Sequence, residues 1–244
     1  MNNRSSILNE CRDLNPNTVS LYVLTGAERQ PVPEDAGQLL SEEEHVRASR
    51  FVSETARREF LLSRTHVRKI LSRYTGIRAS ELCFECGPQG KLYLSKEQNS
   101  LGACFNISHS RGTILLAFCR DREIGVDVEV VRPVTDIEGL INRFYTEEEQ
   151  ASFAGLNTDA FLSHFFRIWV RKEALLKAVG VGIGKYLSRI TVPTADPPIV
   201  EDFRLPEEIA ENREWTIQDI TTTAPVNAAL CAGGGPFSVE VHAL

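Results

Sequence analysis

In the segment Ile124-Gly125-Val126-Asp127-Val128-Glu129-Val130, a period-two alternation sends the four branched apolar residues to one face of a strand and Gly125, Asp127 and Glu129 to the other. Two carboxylates on one face, about 6.6 Å apart along the strand, repel each other unless a cation lies between them. Magnesium suits such a pair, because it takes one or two protein carboxylates and fills its octahedron with water and substrate phosphate. Taken alone, the segment also reads as a strand with a solvated outer face. A second signal lies on the long helical pattern from Phe161 to Val179, where Phe165 and Trp169 define an apolar stripe whose next two positions are Glu173 and Lys177. Ala174, Leu175, Leu176 and Ala178 leave little exposed face around them. A half-buried carboxylate needs a counterion, so Glu173 is a candidate third ligand beside Asp127 and Glu129, with Lys177 as a phosphate partner.

The stretch Phe105 to Gly112 reads as an apolar strand running into a polar turn that holds Asn106, Ser108, His109 and Ser110. Such a turn offers amides, hydroxyls and an imidazole to an anion; a plain surface histidine is the other reading. No GxSxG nucleophile elbow occurs, so Ser-His-Asp hydrolase chemistry has no support. The glycines from Gly180 to Gly184 fail the phosphate-loop pattern at Val179 and Tyr186 and read as a helix C-terminus with its turn. Cys83 and Cys86 have CxxC spacing, but neither a second CxxC nor a nearby Cys/His pair completes a zinc set, and they read as two incidental core thiols.

The elements that would carry these residues repeat. Ser41-Glu42-Glu43-Glu44 and Thr146-Glu147-Glu148-Glu149 both have the form that caps a helix start. Val67-Arg68-Lys69 and Val170-Arg171-Lys172 follow at similar distances, about 104 residues separating the two copies. In the first half a strand near Val19 to Leu24 precedes helices near Glu42 to Phe51 and Ala56 to Tyr74, then short strands near Lys91 to Leu94, Cys104 to Ile107 and Thr113 to Cys119. In the second half the strand Ile124 to Val131 precedes helices near Ile137 to Phe144, Glu147 to Phe153 and Phe161 to Val179. Strands near Arg189 to Val192, Trp215 to Ile220, Ala228 to Cys231 and Phe237 to Val241 close the chain. The expectation is an α+β fold built by pseudo-two-fold duplication of a strand-helices-strands unit, the halves being residues 1–123 and 124–244.

The chain has 244 residues, 42% hydrophobic and 25% charged, which excludes wholesale disorder and leaves room for a real core. Its longest apolar run, Ile114 to Cys119, is too short to span a bilayer. Met1 to Leu14 lacks the basic start and apolar stretch of a signal peptide, and the six cysteines then read as free thiols of a cytoplasmic protein. The net charge of −6 hides a basic block from Arg47 to Arg78, with nine Lys/Arg against Glu54 and Glu59. On an acidic protein such a block suits a small polyanion or an acidic partner better than nucleic acid. It equally suits a solvated helix face.

Taken together, the motifs resemble the 4′-phosphopantetheinyl transferase superfamily, specifically its Sfp-type members. Gly125 to Glu129 looks like the family's first signature, and Trp169, Lys172, Glu173 and Lys177 look like its second, W-x-x-K-E-x-x-x-K. Phe105 to Ser110 is similar to its FNxSHS segment, and Gly90-Lys91 to its GKP segment. Leu92 stands where the family usually has proline, and Glu44 where well-studied relatives have lysine. The resemblance implies a 4′-phosphopantetheinyl transferase fold and a monomer with coenzyme A in the cleft between its halves. It also implies magnesium-dependent transfer of the phosphopantetheine arm of coenzyme A to a serine of an apo acyl, aryl or peptidyl carrier protein, releasing 3′,5′-ADP. Residue by residue, Asp127, Glu129 and Glu173 would ligate magnesium, and Glu173 or a metal-bound water would take the serine proton. Lys177 would contact the attacked phosphate and His109 the coenzyme A phosphates. Ser108 would shape the nucleotide pocket, and Arg47, Arg58 and Lys91 would gather the 3′-phosphate. A non-enzymatic module holding a polyanion or acidic protein on the basic helix 57–73 accounts for the basic block but not for the carboxylates. A metal-dependent phosphohydrolase accounts for the carboxylates but not for the FNxSHS-like segment.

Overall fold

The computed structural model describes residues 13–195, 203–210, 214–222 and 226–244; Cys11 and most of the N-terminal stretch read above lie outside them. Elements follow in the order β1 (Thr18–Leu24), α1 (Ala36–Leu39), α2 (Glu42–Ser49), α3 (Glu54–Thr75), β2 (Phe84–Cys86), β3 (Leu92–Leu94), β4 (Ala103–Ser110), β5 (Thr113–Arg120) and β6 (Ile124–Val130). Then come α4 (Ile137–Phe144), α5 (Glu147–Ala151), α6 (Thr158–Val179), α7 (Ile183–Tyr186), α8 (Glu207–Ala210), β7 (Trp215–Asp219), β8 (Val226–Gly233) and β9 (Ser238–Ala243). The fold is α+β, as the sequence leads one to expect.

One strand arrangement occurs twice. The first large sheet has the order β4-β5-β1-β9 and the second β6-β8-β7. In each, the strand that opens a half pairs antiparallel with the last strand of that half's hairpin. β9 adds to the first sheet, parallel to β1. Each half also has a 22-residue helix, α3 or α6, that ends in a left-handed glycine, Gly76 or Gly180. Glycine adopts positive φ without a Cβ penalty, which is why both helices stop there.

The helix starts share one device. Ser41 and Glu44 form a capping box at α2, and Thr146 and Glu149 form one at α5. In both, the capping glutamate is buried and its carboxylate also meets a cation from the long helix, Arg68 at 2.8 Å from Glu44 and Lys172 on Glu149. Arg68 in α3 and Lys172 in α6 thus meet their capping glutamates in the same way. The string match aligns Arg68 with Arg171 instead, whose guanidinium donates to Asp219 at 2.8 Å.

One apolar cluster fills the first half, centred on Leu62, Val67, Leu71, Phe105 and Phe118, and another fills the second around Phe165, Ile168, Leu175 and Ile217. A third, with Val19, Leu21, Leu115, Val126, Val128 and Leu230, joins the strands of the two halves. No helix among the described residues is long and apolar enough to cross a membrane.

Three local expectations are corrected. Arg189 to Val192 is not a strand: Leu187–Arg189 is a 3-10 turn, and Thr191 forms only an isolated bridge with Arg204. The reason is that buried side chains satisfy this backbone, Lys172 donating to Ile190 O and Glu149 accepting from Val192 N, each at 3.0 Å. Cys83 and Cys86 are exposed and not core thiols, since β2 pairs only with β3 in a small hairpin outside the main sheets. Residues 106–110 are not a turn either. β4 continues through Ser110, and the turn is Arg111-Gly112, with φ of 44° and 84°.

Candidate active site

Strand geometry decides which way the 106–110 side chains face. Asn106, Ser108 and Ser110 share one face of β4 and meet the edge of β6, accepting from the backbone N–H groups of Val126 (2.9 Å), Val128 (3.3 Å) and Val130 (3.3 Å). Side chains thus complete the ladder that β6 lacks on that edge. The two hydroxyls then donate onward, Ser108 to Asp127 Oδ1 at 2.9 Å and Ser110 to Glu129 Oε2 at 2.8 Å. Ile107 and His109 face the other way, into a cleft.

Helix α6 brings the second signature to the same place. It lies so close to β6 that a Cβ on Gly125 would run into the Ala174 carbonyl and the Ala178 amide. Across this contact, Lys177 Nζ donates to Asp127 Oδ1 at 2.5 Å, to Ser108 Oγ at 3.2 Å and to Val126 O at 3.4 Å, and lies 3.9 Å from Glu173 Oε2. Asp127 is 3% exposed, and its Oδ2 is buried without a hydrogen-bond partner. Burial, then the neighbouring charge of Asp127, pushes the Glu173 carboxyl up to about 7, with Lys177 opposing and Glu129 adding to the shift. Glu129 also accepts from Arg132 at 3.2 Å. The three carboxylates share one region, but as placed they turn to protein cations and hydroxyls. Among the described residues no three such side chains are gathered closely enough to hold a metal.

The cleft, about 470 Å³, takes its walls from both halves: Arg47, Phe60 and Arg64, the Gln89 to Leu92 loop, Phe105 to Ile107 and His109, then Lys177 and Gly180 to Gly182. A shallower groove of about 490 Å³ over Pro88, Lys185 and Tyr186 adjoins it, sharing Gln89 and Gly180 to Gly182. Two guanidinium groups flank the Phe60 ring, Arg47 at 5.4 Å and Arg64 at 5.2 Å from its centroid. Arg64 is 8% exposed, its NH1 has no hydrogen-bond partner, and Glu44 is no closer than 4.0 Å. Burial holds its guanidinium below the usual range, with Glu44 opposing and Arg47 adding to the effect. A desolvated, incompletely paired cation on a cleft wall, next to another cation, is a place for an anion.

Of the residues singled out in the sequence, Arg47, Lys91, His109 and Lys177 line the cleft. Asp127, Glu129, Glu173 and Ser108 lie beside it, Ser108 through its bond to Asp127 and not as a pocket wall. Arg58 is not on the wall; its guanidinium donates to Glu28 O at 3.2 Å. The ammonium of Lys91 is engaged at 3.0 Å with both Glu123 Oε2 and Ala178 O, which ties the hairpin loop to the end of α6. Sequence reading missed Arg64, whose only signal was its place in the basic block. That block is not a free cationic face, because Arg64 and Arg68 are buried and Lys69 pairs with Asp35.

The sequence pattern of the 4′-phosphopantetheinyl transferase superfamily matches residues 123–231, and that of the 4′-phosphopantetheinyl transferase N-terminal region matches residues 30–120. The chain is 38% identical over 152 residues to the 4′-phosphopantetheinyl transferase HetI of Nostoc sp., covering 62% of this chain and 64% of that protein. It therefore spans a little under two thirds of the length of that relative. To the L-aminoadipate-semialdehyde dehydrogenase-phosphopantetheinyl transferase of Xenopus laevis it is 30% identical over 208 residues, 78% of this chain and 67% of the other. To the 4′-phosphopantetheinyl transferase ffp of Bacillus subtilis it is 28% identical over 203 residues, 83% and 86% of the two chains. The strand and helix signatures that meet at Asp127 and Lys177 lie within the superfamily match, and on these grounds the chain belongs to the 4′-phosphopantetheinyl transferase superfamily, as an Sfp-type member.

Proposed function

We propose that the protein transfers the 4′-phosphopantetheine arm of coenzyme A to a serine of an apo acyl, aryl or peptidyl carrier protein and releases 3′,5′-ADP. The observation that carries this reading is the meeting of Lys177 with Asp127 at the floor of a cleft whose wall holds Arg47, Arg64 and His109. The cations bind the anionic nucleotide, Arg47 and Arg64 taking the 3′-phosphate and His109 a further phosphate oxygen. Lys177 exchanges its present acceptors for the phosphate under attack and balances the charge that develops on the departing 3′,5′-ADP. Glu173 takes the proton as the serine oxygen forms its bond to phosphorus and the bond to the 3′,5′-ADP oxygen breaks.

The donor chemistry suits a hard divalent cation once these side chains turn from their present partners: carboxylates only, an unpartnered buried Oδ2 on Asp127, and mutual repulsion felt at Glu173. Asp127, Glu129 and Glu173 would hold magnesium, which supplies Lewis-acid stabilisation of the pyrophosphate when bound. We further read residues 1–123 and 124–244 as duplicated halves related by a pseudo-two-fold axis within a cytoplasmic monomer. The repeated strand order, the paired capping boxes and the like contacts of Arg68 and Lys172 support the duplication. The polyanion-binding alternative on the helix 57–73 face is weakened because Arg68 is buried on Glu44 and Lys69 pairs with Asp35. Following 3′,5′-ADP release by chromatography, with coenzyme A, magnesium and an apo carrier present, tests the reading; no release above a carrier-free control contradicts it.

A further inference from the structure

Within the basic stretch of α3, Glu59 is the acid that folds inward: it is 6% exposed, while the side chain of Glu54 stays in solvent. Its Oε1 accepts the N–H of Gly112 at 2.6 Å, and its Oε2 lies 3.4 Å from Nδ1 of His109. One carboxylate thus meets both the cleft histidine and the turn that follows it, whose two central residues have positive φ. A carboxylate accepts, so this approach favours a ring proton on the Nδ1 that faces it. With Nδ1 turned to Glu59, Nε2 is the ring nitrogen left to face the cleft.

We propose that Glu59 is the positioning residue for His109, fixing its Nδ1–H form and holding its ring on the cleft wall so that Nε2 meets an anionic oxygen of the ligand. The identity of that ligand as coenzyme A rests on the function proposed above; the tautomer does not.

The test has two arms. Imidazole nitrogen chemical shifts of His109, measured on the ligand-free protein, should report the Nδ1–H form, and Glu59→Gln should move them toward the Nε2–H form. Calorimetric titration with coenzyme A should show Glu59→Gln weakening binding on the order of tenfold. The same change made in a His109→Asn background should cost less than about twofold. An Nε2–H ring in the unaltered protein overturns the inference even if Glu59→Gln fails to fold. Equal losses in both backgrounds overturn it too, since Glu59 would then act on the fold alone. If the unaltered protein binds no coenzyme A, the ligand reading falls and the shifts alone decide whether Glu59 positions His109.

Discussion

Lys177 Nζ lies 2.5 Å from Asp127 Oδ1, so the floor of the cleft is an ion pair between a residue of the long C-terminal helix and one of the strand beneath it. The pair forms because Gly125, two residues before Asp127, lets α6 descend onto β6. Neither element alone places a cation against that carboxylate.

Replacing Asp127 with asparagine should lower transfer about 10² to 10³-fold, the loss expected when a charged partner of the transition state is removed. Single-turnover transfer measured over a range of magnesium concentrations checks this. Near-normal turnover at limiting magnesium would contradict the assignment.

Arg64→Gln should weaken coenzyme A binding about tenfold and reduce the preference for coenzyme A over its dephospho form. Arg58→Gln should change both much less, because the Arg58 guanidinium rests on the Glu28 carbonyl away from the cleft wall. Titration calorimetry with the two ligands separates the cases.

Much of this site is readable in the sequence where one element carries the signal. The alternation around Asp127 and the stripe ending in Glu173 and Lys177 need only periods of two and 3.6. The polar run of β4 misleads because its partners are backbone amides of β6, a tertiary fact that local polarity cannot express. Arg64 looks like any other basic residue of α3 until Phe60 and Glu44 are placed around it. Lys91 looks like a free cation until the end of α6 arrives to accept a hydrogen bond from it. The repeated short strings are legible in the sequence, but the shared contact of a capping glutamate with a cation of a long helix, Glu44 with Arg68 and Glu149 with Lys172, appears only once the helices are placed.

The latter pair is fully buried, with both side chains at 0% exposure. Lys172→Met should therefore cost ~3 to 5 kcal/mol, since Glu149 is left as an uncompensated buried charge. Adding Glu149→Gln should recover part of that loss while keeping the α5 cap. Urea unfolding of the single and double variants measures both terms.

Acid should destabilise the fold through His164. Its Nδ1 accepts from Arg167 at 2.7 Å, which leaves Nε2–H to donate to Ser152 at 2.6 Å, so the ring is held neutral. Burial, then the charges of Arg167 and Arg171, lowers its pKa to about 4. The folded value lies below the unfolded one near 6.5, so this contribution is complete above about pH 6.5 and is lost as pH falls toward 4. Unfolding free energy should drop by about 1 to 2 kcal/mol between pH 7 and pH 5 from this group. His164→Gln should flatten that limb in denaturation curves taken across the range.

The most direct measurement is the intact mass of an apo carrier protein after incubation with this protein, coenzyme A and magnesium. The account predicts a gain of about 340 Da, the phosphopantetheine group, on a serine, with the gain lost when Lys177 is replaced by methionine. A carrier of unchanged mass, across acyl, aryl and peptidyl carriers and under conditions where a known transferase loads them, would contradict it.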